Sequence, residues 1–207
     1  LLEILKGTDL TNFNAMRHDI EQVQELASLA VEGSARFRVM LKMYDAQTHD
    51  PLFAPVDICQ VVYAAVQNED LYAATHRKPE EVTIDVDCER TFPTVDARMI
   101  EAAVMEMVRN GLRAIEPGGH VWVSVRSDKT HCFITVEDDG HGIAPEHWAD
   151  IWVPGKQLEH HMKRKKEGSG NGLETLRIIA ERHGGKAMLE WSEMGKGSRF
   201  LLKLPMR

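Results

Sequence analysis

Val136-Glu137-Asp138-Asp139-Gly140-His141-Gly142-Ile143 decides how the rest of the chain is read. Apolar and polar residues alternate from Cys132 to Glu137, which predicts a half-buried strand ending in a turn. A carboxylate at such a strand end, here Asp138, can accept a hydrogen bond from an exocyclic amine. Gly140 and Gly142 just beyond it let backbone approach a flat ring closely. An ordinary Asp-Gly turn is the other reading of the same residues, so the flanking sequence has to decide.

Upstream, residues 97–115 predict a long helix rich in Ala, Met, Val and Leu. Glu106 and Asn110 lie one turn apart on one face of it, with Arg113 close to the same face. A carboxylate and an amide oxygen there can face a hydrated Mg²⁺, and a guanidinium can meet phosphate oxygens; a solvated helix face is the plainer alternative. Downstream, Gly168-Ser169-Gly170-Asn171-Gly172-Leu173 opens a helix over residues 172–183, where backbone N–H groups and the helix dipole can receive anionic phosphates. This stretch follows no strand directly and is not GxxxxGK[ST], and no strand–glycine–helix unit marks a dinucleotide fold.

Further strands are expected over residues 82–87, 121–126, 187–191 and 199–204, and a helix over residues 56–68. Together these predict a mixed sheet covered by helices on one face. Ahead of them, Phe13, Met16, Ile20, Val23, Ala27 and Ala30 recur at helical seam spacing, and Phe37, Met40, Leu41 and Tyr44 follow after Gly33-Ser34, which can break a helix. The two stripes predict an antiparallel helical hairpin. Because one hairpin cannot cover its own apolar stripe, pairing with a second copy into a four-helix bundle, a homodimer, is expected. Pro51 and Pro55 mark a linker, so the expected domains are residues 1–51 and 52–207.

Composition narrows the function classes. The 207 residues carry a net charge of −7 and 43% hydrophobic residues, enough for one sizeable core but with no basic field for a phosphate backbone, so nucleic acid is an unexpected partner. Three cysteines, Cys59, Cys88 and Cys132, are odd in number and widely spaced, fitting neither a disulfide framework nor a thiolate zinc site; a reducing cytoplasm is the expectation. No apolar run reaches the roughly 20 residues that cross a bilayer, so this stretch is expected to make no membrane contact. A start at Leu1 rather than Met suggests a fragment of a longer protein, with or without a membrane anchor ahead of it.

Taken together, the motifs resemble those of a family. Glu106-Met-Val-Arg-Asn110-Gly-Leu-Arg113 is similar to the N box, Asp138-Asp-Gly140-His-Gly142-Ile143 to the G1 box, Ile151-Trp152-Val153-Pro154 to the F box and Gly168–Leu173 to the G2 box of two-component sensor histidine kinases, which belong to the GHKL (Bergerat-fold) ATPases. The order is the family's, and so is an ending with His183-Gly184-Gly185, Gly195–Phe200 and Leu204-Pro205. The resemblance implies a helical hairpin followed by an α/β sandwich that binds ATP and Mg²⁺, an α+β fold overall. It implies that Asp138 binds the adenine amine, that Gly140, Gly142 and Ile143 shape the adenine pocket, and that Asn110, with Glu106, holds Mg²⁺. Arg113, Gly168, Gly170, Gly172, Leu173 and Ser198 would complete the nucleotide site, and residues 155–167 would form a lid whose Lys163 and Lys165 reach phosphate oxygens. Two departures stand out: Trp152 where Phe is usual, and Asn171 where an apolar residue is usual.

Met16-Arg17-His18-Asp19-Ile20 resembles the family's H box. With Met16 and Ile20 on the seam, His18 falls off it, where an imidazole nitrogen could attack an incoming γ-phosphoryl group and Asp19 could orient the ring. The basic residue and proline usual after that histidine are missing. The reading is therefore autophosphorylation on His18 and transfer to an aspartate of a response-regulator receiver domain. Its rivals are an ATPase or serine kinase with Glu106 as base, and a pseudokinase scaffold acting through the dimeric hairpin.

Overall fold

The computed structural model describes residues 49–73, 75, 78–154 and 172–206, with Ala30, Gly33, Ser34 and Phe37 of the first segment. The expected seam from Phe13 to Ala27, and His18 and Asp19 beside it, lie outside the described residues. Gly33 and Ser34 are in helical backbone, so the break expected there is not made at these positions. Glycine in a helix interior costs only about 1 kcal/mol relative to alanine, which neighbouring turns can offset.

A five-stranded sheet carries the domain. Strands β2 (Thr83–Cys88), β4 (His120–Ser127), β5 (His131–Asp138), β6 (Lys186–Glu193) and β7 (Gly197–Pro205) lie in the order β2-β4-β5-β7-β6. The β2–β4 pair is parallel and the others are antiparallel. The parallel pair needs a long crossover, supplied by helix α3 (Ala97–Ala114), while the β4–β5 and β6–β7 pairs close through short turns. Two-residue strands β1 (Ala54–Pro55) and β3 (Thr94–Val95) pair apart from the main sheet. Helix α1 (Ile58–Val66), short helix α2 (Glu69–Ala73) and helix α4 (Gly172–Arg182) accompany α3 among the described residues. The mixed sheet under helices matches expectation, with element ends shifted by a residue or two. The β1–β3 pair and α2 are additions, too short to show a period in sequence.

One face of the sheet is dry. Val121, Val123 and Val125 of β4, Cys132, Ile134 and Val136 of β5, and Phe200, Leu202 and Leu204 of β7 all point to the helices and are buried. Residues between them in β4 and β5 are more exposed, the period-two signature of a one-sided sheet. Helix α3 lies across this face with Met99, Ile100, Ala103, Val104, Met107, Val108 and Leu112 buried along one stripe. Each large aliphatic side chain of this kind contributes about 1.5–3 kcal/mol when fully buried. Asp96 starts α3: its carboxylate accepts from the N–H groups of Arg98 at 3.0 Å and Met99 at 3.2 Å.

The same Asp96 ties in the chain entering the domain. Its second oxygen accepts from the Leu52 N–H at 2.7 Å. Its own N–H donates to Nε2 of the buried His183 at 3.1 Å, and His183 Nδ1 donates to the Ile179 carbonyl at 2.8 Å, which sets the neutral tautomer. Phe53 meets the His183 ring edge-on at 5.3 Å. Leu52 and Phe53 are thereby fastened to the start of α3 and the end of α4.

The cysteine expectation needs correction. Cys59 and Cys88 form a disulfide across a sequence separation of 29, with 5.7 Å between their Cα atoms. Sequence spacing could not reveal it, because the pairing depends on the chain after β2 running back beside the start of α1. Cys132 is the free, buried cysteine of β5. Among the described residues, no helix is long and apolar enough to cross a membrane.

Candidate functional site

The end of β5 and the inner face of α3 meet where the sequence concentrates its chemistry. Asp138, the last residue of β5, is 4% exposed, and its carboxylate accepts the Gly140 N–H at 2.9 Å. Burial pushes its pKa up to about 7; the Gly140 and Ser198 N–H groups oppose that rise, and the neighbouring Asp139 and Glu137 charges add to it. A carboxyl group poised near neutrality and withdrawn from water is a strong hydrogen-bond partner held in reserve.

Glycines shape the space around it. A Cβ on Gly140 would stand 2.5 Å from the Ala114 carbonyl carbon, and one on Gly142 would overlap the Glu193 carbonyl. Gly142 also has φ +70°, where a side chain is strained. The loop from Gly140 to Ile143 is pinned further: His141 N–H donates to the Ala114 carbonyl at 3.1 Å, and Ile143 N–H donates to Ser192 Oγ at 2.7 Å. Ser192 also donates to the Gly197 carbonyl and lies 3.0 Å from Ser198 Oγ. So the G1-like stretch is a rigid turn built onto the start of β7.

On α3, Glu106 is 2% exposed and ion-paired with Arg109, one turn further on. Gly172, the first residue of α4, sits so close that a Cβ there would collide with the Glu106 carboxylate. Glu106 is therefore a buried, engaged carboxylate, where a solvated helix face was the plainer alternative. The next turn holds Asn110, whose Nδ2 is buried with no hydrogen-bond partner. An amide nitrogen in that condition costs about 1–3 kcal/mol, which a bound polar ligand would recover. Arg113 lies half-buried on the following turn.

The structure thus brings together Glu106, Asn110, Asp138, Gly140, Gly142, Ile143, Gly172 and Ser198; Leu173, half-buried, packs against the core beside them. Gly168, Gly170, Asn171, Lys163 and Lys165 lie outside the described residues. Trp152 fills an aromatic slot, edge-on to Phe200 at 6.3 Å. Three participants escape sequence reasoning: Arg109, which holds Glu106, Ser192, which staples the Gly142 turn, and Gly197, whose missing Cβ lets β7 approach the Asp138 carbonyl. For Arg109 the i, i+3 spacing is the available signal; for Ser192 and Gly197 only the strand register reveals the role.

Comparison with known proteins agrees with this geometry. The family model described as histidine kinase-, DNA gyrase B- and HSP90-like ATPase matches residues 95–207. The sensor protein SrrB of Staphylococcus aureus (strain MRSA252) is 30% identical over 118 residues, which is 57% of this chain and 20% of the relative. The chain therefore spans about a fifth of the length of such curated relatives. Among solved structures, a mycobacterial sensor histidine kinase, MprB, superposes with TM-score 0.63 at 22% identity, over 74% of this chain and 99% of that one. Full-length ShkA in complex with AMPPNP gives TM-score 0.65 at 19% identity, over 91% of this chain and 38% of that one. The Acinetobacter baumannii histidine kinase AdeS gives 0.59 at 20%, over 99% of this chain and 90% of that one. At these identities the superpositions speak for the fold.

Proposed function

The chain belongs to the histidine kinase-, DNA gyrase B- and HSP90-like ATPase family, and from that premise we propose that it is the catalytic core of a two-component sensor histidine kinase. The observation that carries the nucleotide half is Asp138, buried at a strand end with a glycine-lined turn on one side and the Glu106–Asn110 face of α3 nearby. The fit to ATP rests on that cradle: the carboxylate of Asp138 accepts the adenine amine, while Gly140 and Gly142 leave room for the ring. That the structural neighbour ShkA was solved in complex with AMPPNP supports a nucleotide as the ligand.

The fit to Mg²⁺ rests on donor chemistry. Asn110 offers an amide oxygen while its nitrogen lacks a partner, and Glu106 stands one turn away. When bound, the ion neutralises phosphate charge; the chain's own contribution is to hold these oxygens still. With Arg109 engaging its carboxylate and Gly172 pressed against it, Glu106 positions rather than serving as a base open to water, which disfavours the ATPase and serine-kinase reading. Gly168 and Gly170 belong to the phosphate side in this proposal, as do Lys163, Lys165 and Arg113.

His18 is the proposed phosphoacceptor, with Asp19 orienting its ring, on a first domain of residues 1–51 that dimerises, ahead of the ATP-binding domain of residues 52–207. Its imidazole nitrogen takes the γ-phosphoryl group of ATP, and an aspartate of a response-regulator receiver domain then takes it from the histidine. Sensor relatives such as SrrB support this placement in signalling, and a cytoplasmic setting belongs to the same proposal. The test is incubation of the parent and a His18→Gln variant with γ-labelled ATP and Mg²⁺. Acid-labile, base-stable label on the parent and none on the variant is expected; equal label on both would move the acceptor elsewhere, and none on either, with nucleotide binding intact, would favour the scaffold reading.

A further inference from the structure

The Cys59–Cys88 pair lies away from the nucleotide residues, at the joint between α1 and the edge of the sheet. Cys59 is the second residue of α1, and its N–H donates to the capping carboxylate of Asp57 at 3.1 Å. Cys88 ends β2, the outermost strand, opposite Val125 of β4. Non-covalent contacts hold the two segments together around the sulfurs. Val56 N–H donates to the Pro93 carbonyl at 3.0 Å, Ile58 N–H to the Thr91 carbonyl at 3.2 Å, and Arg90 Nε to the Asp57 carboxylate at 3.0 Å. The fold therefore presents both thiols to each other whether or not they are bonded, which raises their effective concentration far above that of any external thiol.

Accessibility separates this pair from the third cysteine. Cys59 and Cys88 are both half-buried, within reach of a small thiol or disulfide. Cys132 is fully buried in the core, and burial pushes its thiol up to about 12, so it stays protonated and shielded.

We infer that Cys59 and Cys88 are a redox-modification site: a dithiol that a low-molecular-weight disulfide of the glutathione class converts reversibly to an intramolecular disulfide, fastening α1 to the sheet edge. One cysteine thiolate attacks the small disulfide, forming a mixed disulfide and expelling one small thiolate. The second cysteine thiolate then attacks the protein-bound sulfur, closing Cys59–Cys88 and expelling the other small thiolate. Two protein thiols are oxidised, one small disulfide is reduced, and the two protons end on the departing thiols. Reduction reverses both steps and leaves α1 held by its hydrogen bonds and its packing on α3, the helix that carries Glu106 and Asn110.

The loop closed across a sequence separation of 29 restrains the unfolded chain, so oxidation is expected to raise the unfolding midpoint on the order of 10 °C. The whole chain is equilibrated in graded mixtures of reduced and oxidised glutathione, quenched with excess N-ethylmaleimide at neutral pH without unfolding, and mapped by mass spectrometry alongside thermal melts. The expected result is a Cys59–Cys88 peptide short of two hydrogens under oxidising buffer, its loss under dithiothreitol, Cys132 unmodified throughout, and a redox-dependent melt that vanishes in a Cys59→Ala, Cys88→Ala double variant. Two alkylated thiols after oxidation, stable glutathione adducts on either cysteine, or a parent melt indifferent to dithiothreitol would overturn the assignment, and the mapping on the parent decides even if the double variant does not fold.

Discussion

Replacing Asp138 by Asn tests whether the nucleotide site stores a cost in the free domain and recovers it with ligand. The carboxyl group titrates near 7 in the fold because burial disfavours its charge, against about 3.9 in an unfolded chain. The sign follows from proton binding. Between those two values the native state holds a proton that the unfolded state has released, so stability falls as pH rises through the window and levels off above about 7. A rise of about three pH units corresponds to about 4 kcal/mol at most. The amide of the Asp138→Asn variant is neutral throughout, so variant and parent are expected to be equally stable near pH 4 and to diverge progressively, with the variant the more stable above pH 7.

Binding should move the opposite way. An ionised acceptor makes a charge-assisted bond about twice as strong as a neutral one, so Asp138→Asn is expected to weaken ATP binding by roughly 10- to 100-fold near pH 8. For the parent, affinity should rise between about pH 5.5 and 8 as Asp138 ionises, and calorimetry near pH 6.5 should register proton release on binding. Urea unfolding at stepped pH and titration calorimetry in two buffers measure both. If the unfolding free energies of parent and variant run parallel from pH 4 to 8, burial of Asp138 is not what the fold opposes, and the reasoning fails.

Other perturbations test the cradle. Gly142→Ala forces a side chain into the Glu193 carbonyl at a positive φ and is expected to cost about 2–4 kcal/mol in urea unfolding and to abolish nucleotide binding. Ser192→Ala leaves the Ile143 N–H without its acceptor, at about 1–3 kcal/mol; weaker nucleotide binding should accompany the loss, and a variant as stable and as tight-binding as the parent would remove Ser192 from the site. Glu106→Gln strips the charge that Arg109 faces in a buried setting; a loss of about 3–5 kcal/mol is expected in denaturant titration, together with reduced Mg²⁺-dependent turnover.

The parts legible in sequence are those governed by a local period or a chemically loaded turn. The stripe on α3, the alternation of β4 and β5, and the Asp138–Gly142 turn all signal within a short window, and the structure returns them nearly in place. What stayed hidden depends on register between distant strands. Ser192 becomes a staple only because β6 and β7 align it with Ser198, and Gly197 matters only because β7 lies beside Asp138. The Cys59–Cys88 bond is of the same kind, since only the return of the chain after β2 makes the two sulfurs neighbours.

Resemblance to a motif family and physical necessity meet at one contact, the seat of Gly172 on Glu106. In sequence these are separate features, a glycine opening one helix and a carboxylate in the middle of another. In the fold a Cβ at 172 would push the Glu106 carboxylate from the place where Arg109 holds it, so the start of α4 and this face of α3 meet directly. A carboxylate that accepts a cation on one side and seats a glycine on the other explains why Glu106 is buried without being idle. It also gives glycine at 172 a packing reason separate from the phosphate role proposed for Gly168 and Gly170.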